Sequence, residues 1–184
     1  MLKRLTKNEA ICLYQTQLQK DFKPQEIPPL SRYKKMLDGE GFEVLQYVED
    51  EQEKAYLILR KQQQNILLFF FAVQENFRGQ GIGSKCMKEL QEYGKGSSIF
   101  IEVEAPEEET VEEEKVQKKR RIVFYERLGF TKVEKIEYCL KGHAYHWMVL
   151  GKQVEAEEVI QMAKQMYDIH DTIPSWMTIA KIKE

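Results

Sequence analysis

The chain of 184 residues lacks any long apolar run. The longest, Ile66 to Val73, falls far short of the roughly 20 residues that a membrane-spanning helix needs, so it reads as a buried strand. The opening Met1-Leu2-Lys3-Arg4-Leu5-Thr6 passes straight into polar residues, without the apolar core of a secretory signal. Cysteine is scarce: Cys12, Cys86 and Cys139 stand far apart, odd in number and without a CxxC pair, which argues against a disulfide frame and for reduced thiols in the cytoplasm. His143 and His146 have no partners at zinc spacing, so no metal site is expected. A formal net charge of -2 gives no global field for nucleic acid, and no G-x-S-x-G elbow announces a serine hydrolase.

What is present is an ordinary globular composition, 42% hydrophobic, in a length suited to one domain with a real core. Leu2 to Thr6 reads as a strand and residues 7–20 as a helix. The segment from Asp21 to Leu30 carries three prolines and is irregular; Ser31 then caps a short helix that ends at Gly39 or Gly41. Phe42–Val48 and Ala55–Lys61 alternate in polarity and suggest a hairpin across Glu49–Glu53. The Ile66–Val73 strand looks buried on both faces. A glycine-rich turn follows, then a helix to about Tyr93, a strand Ser98–Glu104, and a charge-segregated helix from about Glu108 to Leu128. Phe130–Leu140 and His143–Leu150 form a second hairpin across Lys141-Gly142, and a last amphipathic helix spans about Glu155 to Ile169. That order predicts an α/β fold with a mixed sheet.

The turn Arg78-Gly79-Gln80-Gly81-Ile82-Gly83 between strand and helix makes physical sense as an anion cradle. Glycines leave backbone amides uncovered, the helix start adds partial positive charge, and Arg78 adds a full one. A P-loop needs G-x-x-x-x-G-K-[ST], which is absent; a dinucleotide fingerprint needs a third glycine one position later than Gly83. A glycine-rich packing turn remains the bland alternative.

Arg78-x-x-Gly81-x-Gly83, entered from Val73, resembles the acyl-CoA signature of the GNAT superfamily of N-acetyltransferases. Downstream, Phe124-Tyr125-Glu126-Arg127-Leu128-Gly129-Phe130 is similar to its second hallmark, a helix ending in Tyr-x-x-x-Gly-Phe. The resemblance covers Leu2 to Leu150 and implies a single GNAT-like domain, residues 1–151, with a mostly antiparallel mixed sheet whose splayed central strands form an acyl-CoA cleft. Residues 152–184 would be a helical extension, packed on that domain or at a dimer contact; the chain would be a monomer or homodimer. Backbone groups of Ala72 and Val73 would bond the pantetheine arm. Arg78 and the amides of Gly79, Gln80, Gly81, Ile82, Gly83 and Ser84 would hold the pyrophosphate of acetyl-CoA.

Acetyl transfer to an amine needs a proton taken from the amine and a proton given to the leaving sulfur. Tyr125 matches the family's usual proton donor. Glu102 and Glu104 alternate along one strand, so they share a face, and either could act as base or water relay once its pKa is raised. The implied acceptor site would use the early loop and helices, including Phe22, Glu26 and Tyr33. With Asp21 and Glu107 to Glu109 the acceptor side would be acidic, which favours a cationic amine on a small molecule or protein. The expectation is an acetyl-CoA-dependent N-acetyltransferase. A noncatalytic acyl-CoA-binding sensor is the alternative.

Overall fold

The computed structural model of the protein describes residues 1–170 and 172–182. The chain divides into two compact units, Met1–Lys61 with Leu68–Lys95, and Gln62–Leu67 with the chain from Gly96 onward. Its class is α/β: a mixed, open sheet flanked by helices, as the element order predicts.

In the first unit, β1 (Leu2–Arg4) pairs antiparallel with β2 (Phe42–Glu49), and β2 with β3 (Gln52–Gln62). The hairpin turn is tighter than Glu49–Glu53. It consists of Asp50 and Glu51, with φ 53 and 60, so the strands run on almost to the corner. Next in the sheet is β4 (Asn65–Val73), of which Leu68 onward belongs to this unit. Only Ile66, Leu67 and Leu68 of β4 are fully buried; Phe69 to Val73 are half-exposed, so the strand is not covered along its whole length.

The expected first helix is three pieces: α1 (Lys7–Leu13), a π-helical stretch Tyr14–Leu18, and α2 (Gln19–Asp21). Thr6 and Glu9 close a capping box at its start, with Glu9 accepting from the Thr6 amide at 2.7 Å and the Glu9 amide donating to the Thr6 hydroxyl. Inside the widened turn, the Thr16 hydroxyl donates to the Cys12 carbonyl. The next helix, α3 (Leu30–Leu37), begins after Pro29, whose fixed φ suits the position, so Ser31 lies within the helix and does not cap it. These helices cover one core of Ala10, Leu13, Tyr14, Leu18, Tyr33, Phe42, Val44, Tyr56 and Ile58. A 3-10 turn, Glu75–Phe77, leads to α4 (Ile82–Tyr93), which buries Ile82, Cys86, Met87 and Leu90.

The second unit is built on β5 (Ser98–Glu104), which pairs antiparallel with β8 (His143–Leu150). α5 spans Glu112–Arg127 and not Glu108–Leu128, because the Glu109 carboxylate folds back to accept from the Val111 amide ahead of the first turn. Phe130–Leu140 is not one strand. It breaks into β6 (Thr131–Lys132) and β7 (Ile136–Leu140), with Lys135 at φ 57 between them. β7 and β8 join across Lys141 and Gly142 as predicted, both with positive φ.

The tail is more than a helix. α6 (Ala156–Met166) buries Val159, Met162, Ala163 and Met166, and β9 (Met177–Lys181) pairs with β7 over Ile136–Leu140. The extension expected for residues 152–184 is thus part of the second unit; its Asp171, Lys183 and Glu184 lie outside the described residues. No helix among the described residues is long and apolar enough to cross a membrane.

Gly41 is the tightest glycine of the first unit. At φ 73, an added Cβ would stand 1.8 Å from the Lys61 carbonyl oxygen, whose own amide donates to Gly41 at 2.8 Å. Gly41→Ala should therefore cost at least about 2–3 kcal/mol of stability in urea unfolding.

Candidate acyl-CoA cradle and acid–base residues

The first unit presents the glycine turn as a backbone surface. Gly79 and Gly81 both have φ 77, and nothing lies within 4 Å of where a Cβ would stand on either. Gly81 is the residue that enters α4, in the left-handed region, and no side chain caps the helix there. The Lys85 amide donates to the Gly81 carbonyl at 3.1 Å, which closes the first turn. The amides of Ile82, Gly83 and Ser84 come before that bond and have no partner within the helix. The Ile82 side chain points into the core, so only its backbone faces the turn. Open space, uncovered amides and the positive end of a helix dipole describe a seat for an anion.

Arg78 is held in place by its neighbours. Its Nε donates to the Val73 carbonyl at 3.0 Å and its Nη2 to Asp21 at 2.8 Å, so the guanidinium straps the turn to the end of β4 and to α2. Asp21 also accepts from the Tyr56 hydroxyl at 3.0 Å. Gln80 reaches back to the Asn76 carbonyl at 2.8 Å. Among the half-exposed residues of β4, Ala72 packs against the core, Phe70 meets the Phe22 ring edge-on at 5.1 Å, and the Val73 carbonyl is taken up in part by Arg78.

In the second unit, the two candidate carboxylates on β5 have separate surroundings. Glu104 is held by Arg121 at 3.0 Å and lies 3.8 Å from Lys118, both on α5. Among the described residues, the hydrogen-bond partners of Glu102 are tyrosines. It accepts from the Tyr138 hydroxyl, and the Tyr167 hydroxyl reaches its two oxygens at 2.9 and 2.8 Å. Burial pushes the Glu102 carboxyl up from 4.5 to about 7, opposed in part by the two tyrosine donors. Burial and the adjacent carboxylate push both tyrosines upward in turn, so both stay protonated and donate. Tyr138 stacks on Trp147, at 4.9 Å, and Trp147 stands opposite Glu102 in the β5–β8 register.

The Tyr125 to Phe130 run is a helix terminator. Gly129, at φ 91, donates to Glu126, while the Phe130 amide returns to the Tyr125 carbonyl at 3.1 Å. The Tyr125 and Phe130 rings close over this Schellman motif at 5.4 Å. Tyr125 is 7% exposed, held between Phe130 and Phe124.

The model of the GNAT acetyltransferase domain matches residues 41–132, half of the chain. The protein belongs to the GNAT acetyltransferase family. YjbC of Bacillus subtilis (strain 168), which carries a provisional acetyltransferase name, is 28% identical over 131 residues, 66% of this chain. The match spans 64% of YjbC, a little under two thirds of its length. Among solved structures, a GNAT-family protein of Bacteroides thetaiotaomicron, also provisionally named an acetyltransferase, shares the fold with a TM-score of 0.78 at 23% identity, over 92% of this chain and 97% of that one. An aminoglycoside 6'-N-acetyltransferase complexed with coenzyme A has a TM-score of 0.55 at 12% identity, over 84% of this chain and 99% of its own.

GNAT enzymes draw their acyl group from a CoA thioester, and the cradle fits the diphosphate of such a molecule. A side chain at Gly79 or Gly81 would fill the space the phosphates need, and neither position has one. Most of the acids expected on the acceptor side have partners within their own unit. Asp21 is paired with Arg78, Glu109 with Lys118 at 2.8 Å, and Glu107 with His146 at 2.9 Å; Glu26 accepts from the Lys23 amide. Tyr33, expected at the acceptor site, is instead wholly buried, its hydroxyl donating to the Ala10 carbonyl: it is a core residue of the first unit. Phe22 stays half-buried on Phe70. Sequence reasoning did not pair Glu102 with Tyr138 or Tyr167; Tyr167 fell within the amphipathic tail helix expected from Glu155 to Ile169.

The raised Glu102 has a consequence for stability. A carboxyl held at about 7 in the fold, against 4.5 unfolded, is protonated in both states below pH 4.5 and makes no difference there. As pH rises the unfolded chain ionises first, stability falls, and above about pH 7 the loss is complete. Glu102→Gln should therefore gain on the wild type between about pH 4 and pH 8, by on the order of 2 kcal/mol, in denaturant titrations at the two pH values.

Proposed function

We propose that this GNAT protein is an acetyl-CoA-dependent N-acetyltransferase that moves an acetyl group directly to a primary amine. The observation that carries the reading is the pair of left-handed glycines opening onto the uncapped start of α4. Acetyl-CoA supplies the acetyl group as an activated thioester. The amides of Gly79 to Ser84 bind its pyrophosphate, and backbone groups of Ala72 and Val73 align the arm.

Glu102 is the better base of the two carboxylates. Glu104 is neutralised by Arg121 and Lys118, whereas Glu102, at about 7, both holds a proton and gives it up near neutral pH. It takes the proton lost by the ammonium, directly or through a water. The Tyr125 hydroxyl supplies a proton to the departing sulfur. The neutral amine then gains the acetyl group and loses its second proton, which restores Tyr125 after its own has gone to the sulfur; the transfer is direct, with no covalent intermediate on the protein. Cys86 is buried on α4 with its thiol pushed up to about 12, which keeps it out of nucleophilic chemistry.

Thiol release measured across polyamines, aminoglycosides, amino acids and lysine-bearing peptides should find at least one acceptor. Tight acetyl-CoA binding with no turnover on any of them would favour a sensor. Gly81→Val should abolish CoA binding in calorimetry, and undiminished affinity would refute the cradle. Tyr125→Phe should lower kcat by about a hundredfold or more while CoA affinity holds; equal loss of both would remove Tyr125 from the chemistry.

A further inference from the structure

We propose that Tyr167, contributed by the segment that follows α6, is a positioning residue for Glu102, so that the C-terminal extension completes the acid–base carboxylate. The inference rests on the reading of Glu102 as the proton acceptor.

Three observations carry it. The first is contact: Tyr167 donates across both carboxylate oxygens, at 2.9 and 2.8 Å, while Tyr138 reaches only Oε1. Oε2 thus keeps the larger share of free lone-pair capacity. The second is backbone geometry. Tyr167 ends α6 in a Schellman motif, with Asp168 at φ 55, the Asp168 amide on Gln165 and the Ile169 amide on Lys164 at 2.8 Å. That motif fixes the direction in which the Tyr167 side chain leaves the helix. The third is the clamp on the far side: Trp176 meets the Tyr167 ring at 5.9 Å, and β9 then pairs with β7, setting Ile179 opposite Tyr138. The two tyrosines reach one carboxylate from two elements that the tail itself ties together.

The charges on neighbouring elements are spent on one another. Glu104 is paired with Arg121 and Lys118 of α5, Glu107 with His146 of β8, and Glu157 of α6 with Lys181 of β9. Glu102 accordingly depends on hydroxyl donors to stabilise its charge, Tyr138 first and Tyr167 beside it. A hydrogen bond to the charged form lowers a carboxyl's proton affinity, so its removal raises it.

The test is carbon-13 NMR of the glutamate carboxyl signals in the full chain, with the Glu102 signal assigned by its loss in Glu102→Gln. In the wild type it should titrate apart from the other glutamates, near neutrality. Tyr167→Phe should move its midpoint upward by about one pH unit or more. The acidic limb of the thiol-release profile should move by the same amount. Replacing Tyr167 with a ring-fluorinated tyrosine, a more acidic donor of nearly the same shape, should move the midpoint downward; this form keeps the test open if the phenylalanine variant does not fold. A midpoint unmoved in either folded variant would overturn the positioning role. Turnover retained in Glu102→Gln would instead overturn the reading of Glu102 as the base, whatever the NMR midpoint does.

Discussion

A helix cannot pair its own first amides, and the first unit is organised around leaving those of α4 uncovered. Three supports hold the turn open. The core face of α4, from Ile82 to Leu90, anchors the helix from below. Arg78 ties the turn to Val73 and Asp21 from the side. The glycines keep their own space clear, because their positive φ suits no other residue well. Arg78 thereby sets the shape of the turn, and its charge is shared with Asp21.

The second unit shows desolvation sorting two residues of the same type. Glu102 and Glu104 lie two apart on β5, yet one is surrounded by tyrosines and the other by cations. Cations favour the charged carboxylate; burial with only neutral donors leaves it near balance at neutral pH. Alternation along a strand guarantees a shared face but says nothing of what packs on that face.

Much of this was legible in the sequence, for identifiable reasons. The segments β5, Ser98–Glu104, and α4, ending at Tyr93, were legible because glycine or proline bounds them and α4 buries a single face. The turn at Lys141-Gly142 followed from residue chemistry alone. The failures were tertiary. β9 is short, with only Met177 and Ile179 buried, and its pairing with β7 makes it a strand. The break before β7 depends on Lys135 adopting a left-handed φ that lysine does not advertise. Tyr33 is aromatic near a proline-bounded loop, which suggested a ligand surface; its hydroxyl found a partner inside the core instead. Asp21, Glu107 and Glu109, which composition alone leaves unpaired, each have a side-chain partner far along the chain or on another element.

The pairing of β9 with β7 also bears on how the chain is made. A nascent chain that has emerged through Leu150 already possesses both strands of the β5–β8 pair, so most of its sheet can form. It still lacks the hydroxyl of Tyr167, 65 residues downstream of Glu102, and the strand that covers the open side of β7. Until those residues clear the ribosome, β7 is an exposed edge and Glu102 has a single hydroxyl donor. The surroundings of Glu102 are thereby tied to completion of synthesis, and a product cut short in the tail would leave this carboxylate with one of its two hydroxyl donors.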